Sequence, residues 1–252
     1  MVTIDLNADL GEGFGRWTLT DDAALLAVVT SANVACGFHA GDPSTIRRVC
    51  ELAVAAGVSI GAQVSYRDLA GFGRRSMDVP PDELADEVTY QIGALGVFAN
   101  AAGDRVRYVK PHGALYHRVI GDTDQAEAVV TGIRRAGADL TVVGFPGSKL
   151  LRAAAAAGLP VVGEAFADRA YGSDGALVSR RQEGAVLTDA RVVVAQALRL
   201  ATAGEVVTTG GEVLEVGARS LCLHGDTPGA AELAALVRDA LVAGGVTVAP
   251  FA

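Results

Sequence analysis

The chain has 252 residues, half of them hydrophobic, which is enough to bury one large core and predicts a single domain spanning 1–252. With 29 acidic against 21 basic residues and a net charge of −8, it lacks the clustered positive charge that a nucleic-acid or anionic-membrane surface needs. That balance points to a small-molecule or protein partner. Three widely spaced cysteines, Cys36, Cys50 and Cys222, read as free thiols in a reducing compartment. No charged leader followed by an apolar run opens the sequence, and the expectation is a cytoplasmic protein.

In chain order, a first strand over Val2–Asn7 runs into Asn7-Ala8-Asp9-Leu10-Gly11-Glu12-Gly13, with two carboxylates and an amide ahead of a helix near 21–29. A second apolar run from Ser31 breaks at Gly37 and presents Phe38, His39, Gly41 and Asp42. Pro43 suits a first helical position and Asp42 its cap, and Ile46, Val49, Cys50 and Ala53 keep helical spacing up to Gly57. The third strand, 58–64, carries Gln63 near its end and opens into a glycine-rich, aromatic loop carrying Arg74-Arg75, a pair able to clamp a carboxylate or phosphate. A long helix starts at Pro80-Pro81. The fourth strand, 106–109, delivers Lys110 and His112, and one helix is expected from Gly113 to about Arg135.

A fifth strand over 140–143 leads through a tight turn to an Ala-rich helix. The sixth, 161–164, feeds Glu164, Asp168 and Arg169. The segment 172–188 has no periodicity and reads as an active-site loop or flap. A helix over 189–203, a turn-rich piece with Gly210-Gly211, a seventh strand carrying His224 and Asp226, a helix over 228–242 and a last strand over 246–249 complete the chain.

Three of the four histidines, His39, His112 and His224, lie just past strands and ahead of helices, whereas His117 falls outside that pattern. Alternating strands and helices imply a parallel sheet. An open sheet gathers chemistry at one switch point, whereas polar clusters at six strand ends converge around a closed barrel. The fold predicted is therefore a TIM-like β/α barrel, seven-stranded or otherwise irregular.

The motifs I-D-L-N-A-D-L-G-E-G (4–13), S-A-N-V-A-C-G-F-H-A-G-D (31–42), G-F-G-R-R (71–75), V-K-P-H-G-A-L-Y (109–116), E-A-F-A-D-R-A-Y (164–171) and C-L-H-G-D (222–226) resemble the LamB/YcsF family. The resemblance implies a barrel of the glycoside hydrolase/deacetylase type. It also implies ATP-dependent opening of 5-oxo-L-proline to L-glutamate, with ATP as cosubstrate and subunits B and C as partners. No G-x-x-x-x-G-K-[ST] loop occurs, so ATP is expected chiefly on a partner. Many family members carry G-A-H-P where this chain has Gly61-Ala62-Gln63-Val64, and Gln63 neither takes up a proton nor ligates metal well.

On this reading Asp9 or Asp42 acts as base with His39 as its partner, His112 and His224 donate protons or hydrogen bonds, and Lys110 supplies charge. Asn7, Glu12, Gln63, Arg74, Glu164, Asp168, Arg169 and Asp226 are expected to bind or orient substrate. No metal ligands are assigned. Two alternatives stay open: a divalent-metal amide or acetyl hydrolase using Asp9 and the three histidines, and a lactam- or sugar-binding module without chemistry of its own.

Overall fold

The computed structural model describes residues 2–137, 139–225 and 229–252. Its core is a ring of parallel strands: β1 (Thr3–Leu10), β2 (Ser31–Ala35), β3 (Ser59–Val64), β4 (Val106–Pro111), β5 (Thr141–Gly144) and β6 (Val161–Phe166). The chain then leaves the ring for a small antiparallel hairpin, β7 (Glu205–Val207) and β8 (Val213–Glu215). It returns as β9 (Ser220–Leu223), which pairs with β6 on one side and β1 on the other, closing a seven-stranded barrel. A two-residue strand, β10 (Thr247–Val248), lies against the start of β1.

The helices are α1 (Asp22–Leu26), α2 (Pro43–Ala56), α3 (Pro81–Ala101), α4 (Gly113–Gly121), α5 (Thr123–Ala136), α6 (Lys149–Ala156), α7 (Ala190–Ala203) and α8 (Ala230–Ala243). None among the described residues is long and apolar enough to cross a membrane.

Local chemistry explains the boundaries. The Asp42 carboxylate accepts from the Ser44 and Thr45 amides at the start of α2, Pro43 fills the first turn, and Gly57 ends the helix at φ 68°. The single helix expected over 113–135 is two. Asp122 takes an extended backbone, caps α5 through the Gln125 amide and pairs with Arg118, so the chain turns there. β1 runs three residues further than its sequence suggests, because Asn7 to Leu10 pair in register with Ser31 to Val34. Asn7 and Asp9 are thus strand residues whose side chains leave on one face. The turn-rich piece after α7 is the β7–β8 hairpin, whose three-residue strands are too short to leave an alternating pattern.

Period-two geometry then determines the barrel interior. On β1, Leu6, Ala8 and Leu10 join the apolar core under the helices, while Asp5, Asn7 and Asp9 alternate with them and hydrogen-bond across the lumen. The same alternation brings in Ser31 and Asn33, Gly61 and Gln63, Tyr108 and Lys110, Glu164, and Ser220 and Cys222.

The lumen is therefore polar and hydrogen-bonded. Asp5 accepts from Thr30, Ser31 and Ser220; Asn33 donates to Asn7 and Asp9; the Tyr108 hydroxyl donates to Asn33. A Cβ at Gly61 would stand 2.1 Å from the Tyr108 ring, so only glycine leaves room for that phenol. Phe251 closes the amino-terminal end of the lumen edge-on to Tyr108, with ring centroids 5.0 Å apart.

Candidate active site

The carboxyl ends of the strands open into a cavity of about 420 Å³, counting its opening to solvent. Asp9, Lys110, His112 and His224 line it, together with Arg74, Tyr116, His117, Phe166, Arg169 and Arg180. Residues from opposite parts of the sequence meet there because β1, β4, β6 and β9 deliver successive inward positions to the same end.

Lys110, only 3% exposed, is the electrostatic centre. Its Nζ lies 2.8 Å from Glu164 Oε2, 3.6 Å from Asp9 Oδ1, and donates to Asn7 Oδ1 and Cys222 Sγ, each at 3.1 Å. Burial works against the ammonium, but Cys222, Glu164 and Asp9 outweigh it and hold its pKa well above the lysine range. Because burial pushes the Cys222 thiol well up, that sulfur accepts as a neutral thiol, and the two carboxylates supply the compensating charge. Burial likewise opposes ionisation of Asp9, yet Lys110, His112 and His224 hold this carboxyl well below its usual range.

A second pair faces the same space. Asp168 is buried, and its carboxylate accepts from the His224 backbone amide at 3.0 Å and from Nδ1 at 2.9 Å. Nδ1 therefore carries a proton, and the ring stacks on Phe166. Burial raises the Asp168 carboxyl, but His224 more than offsets it and keeps the group ionised.

Behind His112 lies a third group. The His39 and His112 rings stack with centroids 4.0 Å apart, and the Gln63 amide ties them together. Its Nε2 donates to Glu12 Oε1 at 3.1 Å and to His112 Nδ1 at 2.9 Å, while its Oε1 accepts from His39 Nε2 at 3.2 Å. His112 Nε2 donates to the Phe72 carbonyl. Burial first and His112 second push the His39 pKa well below the histidine range.

Glu12 Oε1 is 3.5 Å from His39 Nε2 and from His112 Nδ1, the spacing of ligands around one divalent cation. This donor set differs from the Asp9-plus-three-histidines group considered from sequence: Glu12 replaces Asp9, and His224 stands elsewhere. Gln63 spans the set and must give way before a cation enters.

Asn7, Asp9, Glu12, Gln63, Lys110, His112, Glu164, Asp168 and His224 are thus brought together, with His39 directly behind them. Asp42 is not. Its carboxylate is spent on the amides of Gly15, Ser44 and Thr45 and on the Thr45 hydroxyl, and that last bond leads in lowering its pKa to about 2. A carboxylate so engaged has no lone pair aimed at the cavity, which corrects its expected role as a base.

Arg169 lines the cavity, but its guanidinium holds the 172–188 segment by donating to the Val178 and Ala185 carbonyls. Arg74 sits at the rim over the Phe72 ring. Asp226 lies outside the described residues. His117, apart from the strand-end pattern, lines the mouth all the same; burial, then Arg169 and Arg180, lower its pKa.

Sequence reasoning also passed over Tyr116, Cys222 and Arg180. The Tyr116 phenol is raised by burial and then by the nearby Glu164 carboxylate. The spacing of Cys222 from His224 carried the signal for that thiol.

The architecture and the mouth together define a closed, seven-stranded β/α barrel with a cluster of titratable side chains at its carboxyl end. The LamB/YcsF family model matches residues 4–252, and the chain belongs to that family. It is 69% identical over 249 residues to the A subunit of a 5-oxoprolinase from Streptomyces avermitilis, covering 99% of this chain and all of that one. Its fold superposes on a lactam utilization protein of Thermus thermophilus with a TM-score of 0.94 and 42% identity, covering 99% and 100% of the two chains. The polysaccharide deacetylase Bc1974 of Bacillus cereus shares the barrel alone, at a TM-score of 0.53 and 12% identity over all of this chain and 93% of that one.

Proposed function

We propose that this chain carries the lactam-opening site of a cytoplasmic, ATP-dependent 5-oxoprolinase, converting 5-oxo-L-proline to L-glutamate together with subunits B and C. The name borne by its full-length relatives supports the substrate. The chemistry is supported by one observation: an ionised Asp9 beside Lys110 and His112 shares a cavity with a His224 oriented by Asp168.

The lactam is an unstrained amide, and its hydrolysis at neutral pH is uphill, so ATP is needed. Phosphorylation of the amide oxygen by the assembled complex makes the ring carbonyl carbon electrophilic. Water then adds to that carbon, the C–N bond breaks as the ring nitrogen takes a proton, and a second water hydrolyses the resulting acyl phosphate to the free carboxylate and phosphate. His224 Nε2 takes the proton from water and returns it to the nitrogen; Asp168 holds the tautomer and stabilises the imidazolium. Lys110 and Asp9 fix a strong local field at the buried carboxyl end of the barrel, and Tyr116 lines the same cavity. Glu12, His39 and His112 would hold a divalent cation, which would supply Lewis-acid polarisation of a substrate oxygen.

Glutamate release should require this chain, its partners and ATP together. Release by the chain alone without ATP, with stoichiometric metal by elemental analysis, would replace this reading with that of a metal-dependent amide hydrolase.

A further inference from the structure

We propose that Arg180 binds the carboxylate of the lactam substrate and so distinguishes 5-oxoproline from neutral lactams. The proposal rests on the 5-oxoproline reading and adds the group that recognises the part of the substrate that does not react.

The mouth of this acidic chain is cationic, and most of its positive groups are already engaged. Lys110 is matched by Glu164 and Asp9, and Arg169 by two backbone carbonyls. Arg180 lines the same cavity and makes no hydrogen bond or ion pair with any described residue. Its charge still reaches neighbours: burial and then Arg180 depress the Arg169 pKa, and Arg180 helps to keep Asp168 ionised. A half-buried guanidinium with a cationic neighbour and five unmatched donors is an anion site awaiting its anion.

Its position is built. Arg169 clamps the carbonyl of Val178, two residues before Arg180, and Tyr171 bridges to Leu177, so the loop presents this side chain at a fixed height over the mouth. Leu177 and Phe166 supply an apolar wall suited to ring methylenes. One uncommitted guanidinium matches one monoanionic carboxylate in a bidentate pair, whereas a triphosphate needs several free charges.

The test is calorimetric titration of the full chain, as wild type, Arg180→Gln and Arg180→Lys, with 5-oxo-L-proline, with 2-pyrrolidinone (the same ring without a carboxylate) and with ATP. Arg180 makes no hydrogen bond or ion pair with a described residue, so R180Q is expected to leave the fold intact, which an unchanged Tm checks. R180Q is expected to weaken 5-oxoproline binding about 10- to 100-fold while the Kd for 2-pyrrolidinone stays at the wild-type value, with R180K between the two. Equal losses for both lactams, no loss for either, or a loss confined to ATP would overturn the assignment. A wild-type chain that binds neither lactam would remove the 5-oxoproline reading itself, and Arg180's role with it. Tight wild-type binding retained in R180Q would remove Arg180 alone.

Discussion

Replacing Lys110 with methionine tests the electrostatic centre directly. The substitution keeps most of the side chain's volume but leaves Glu164 and Asp9, which sat 2.8 Å and 3.6 Å from the ammonium, buried without their cation. Removing one partner of a buried ion pair costs about 3–5 kcal/mol. At about 2–4 °C per kcal/mol for a chain of this size, Tm should fall by roughly 6–20 °C.

The pH dependence gives the sharper signature. In the wild type the Asp9 pKa is depressed, so its contribution is present above the unfolded carboxyl value and is lost as pH falls through the folded one. Without Lys110, burial dominates and the folded pKa rises, so the penalty is largest near neutrality and shrinks as the acids take up protons. Differential scanning calorimetry at about pH 7.5 and about pH 5 should show the gap between wild type and K110M narrowing at the lower pH. The double variant K110M/E164Q should recover part of the loss. A K110M gap that is absent, or equal at both pH values, would refute this account of the lumen.

Three further outcomes follow from the site. Asp168→Asn should leave His224 free to adopt the wrong tautomer and lower kcat of the assembled complex by about 10²–10⁴-fold in a glutamate-release assay; an unaffected rate would remove the dyad from the chemistry. Asp42→Ala should cost about 1 kcal/mol in urea unfolding near neutrality while sparing activity. Because the Asp42 pKa is lowered to about 2, that deficit should fade as pH drops from about 4 toward 2, and a catalytic defect at intact stability would restore Asp42 as a base. Gln63→Ala frees the lone pairs of Glu12 and His112 and should tighten cobalt(II) binding about tenfold, read from its visible absorption. Equal cobalt affinity in both proteins would show that Gln63 does not guard the donor set.

The barrel was legible because short apolar strands alternated with capped, amphipathic helices, as at Asp42-Pro43 and Gly57, and because three histidines recurred at one kind of junction. What escaped notice did so for identifiable reasons. A polar residue inside a strand looks like a strand terminus, so β1 was cut at Asn7 although Asp5, Asn7 and Asp9 share one parity. Asp122 interrupts an otherwise continuous helical pattern by capping the helix that follows it. Asp42 has the composition of a base and the position of a cap, and the hydrogen bonds at the helix end decided between them. Arg180 sits in a segment without periodicity, where only tertiary contacts assign a side chain to the mouth.

The hydrogen-bonded lumen means that this protein cannot be made sturdier from within without touching its reactivity. Elsewhere a designer could swap interior polar groups for hydrocarbon, but here Asn7 and Asn33 link the floor residues Asp5 and Tyr108 to Asp9 and Lys110 at the opening. Thermostabilising substitutions therefore belong on the outer faces of the helices, where they leave the proton inventory of the tunnel unchanged.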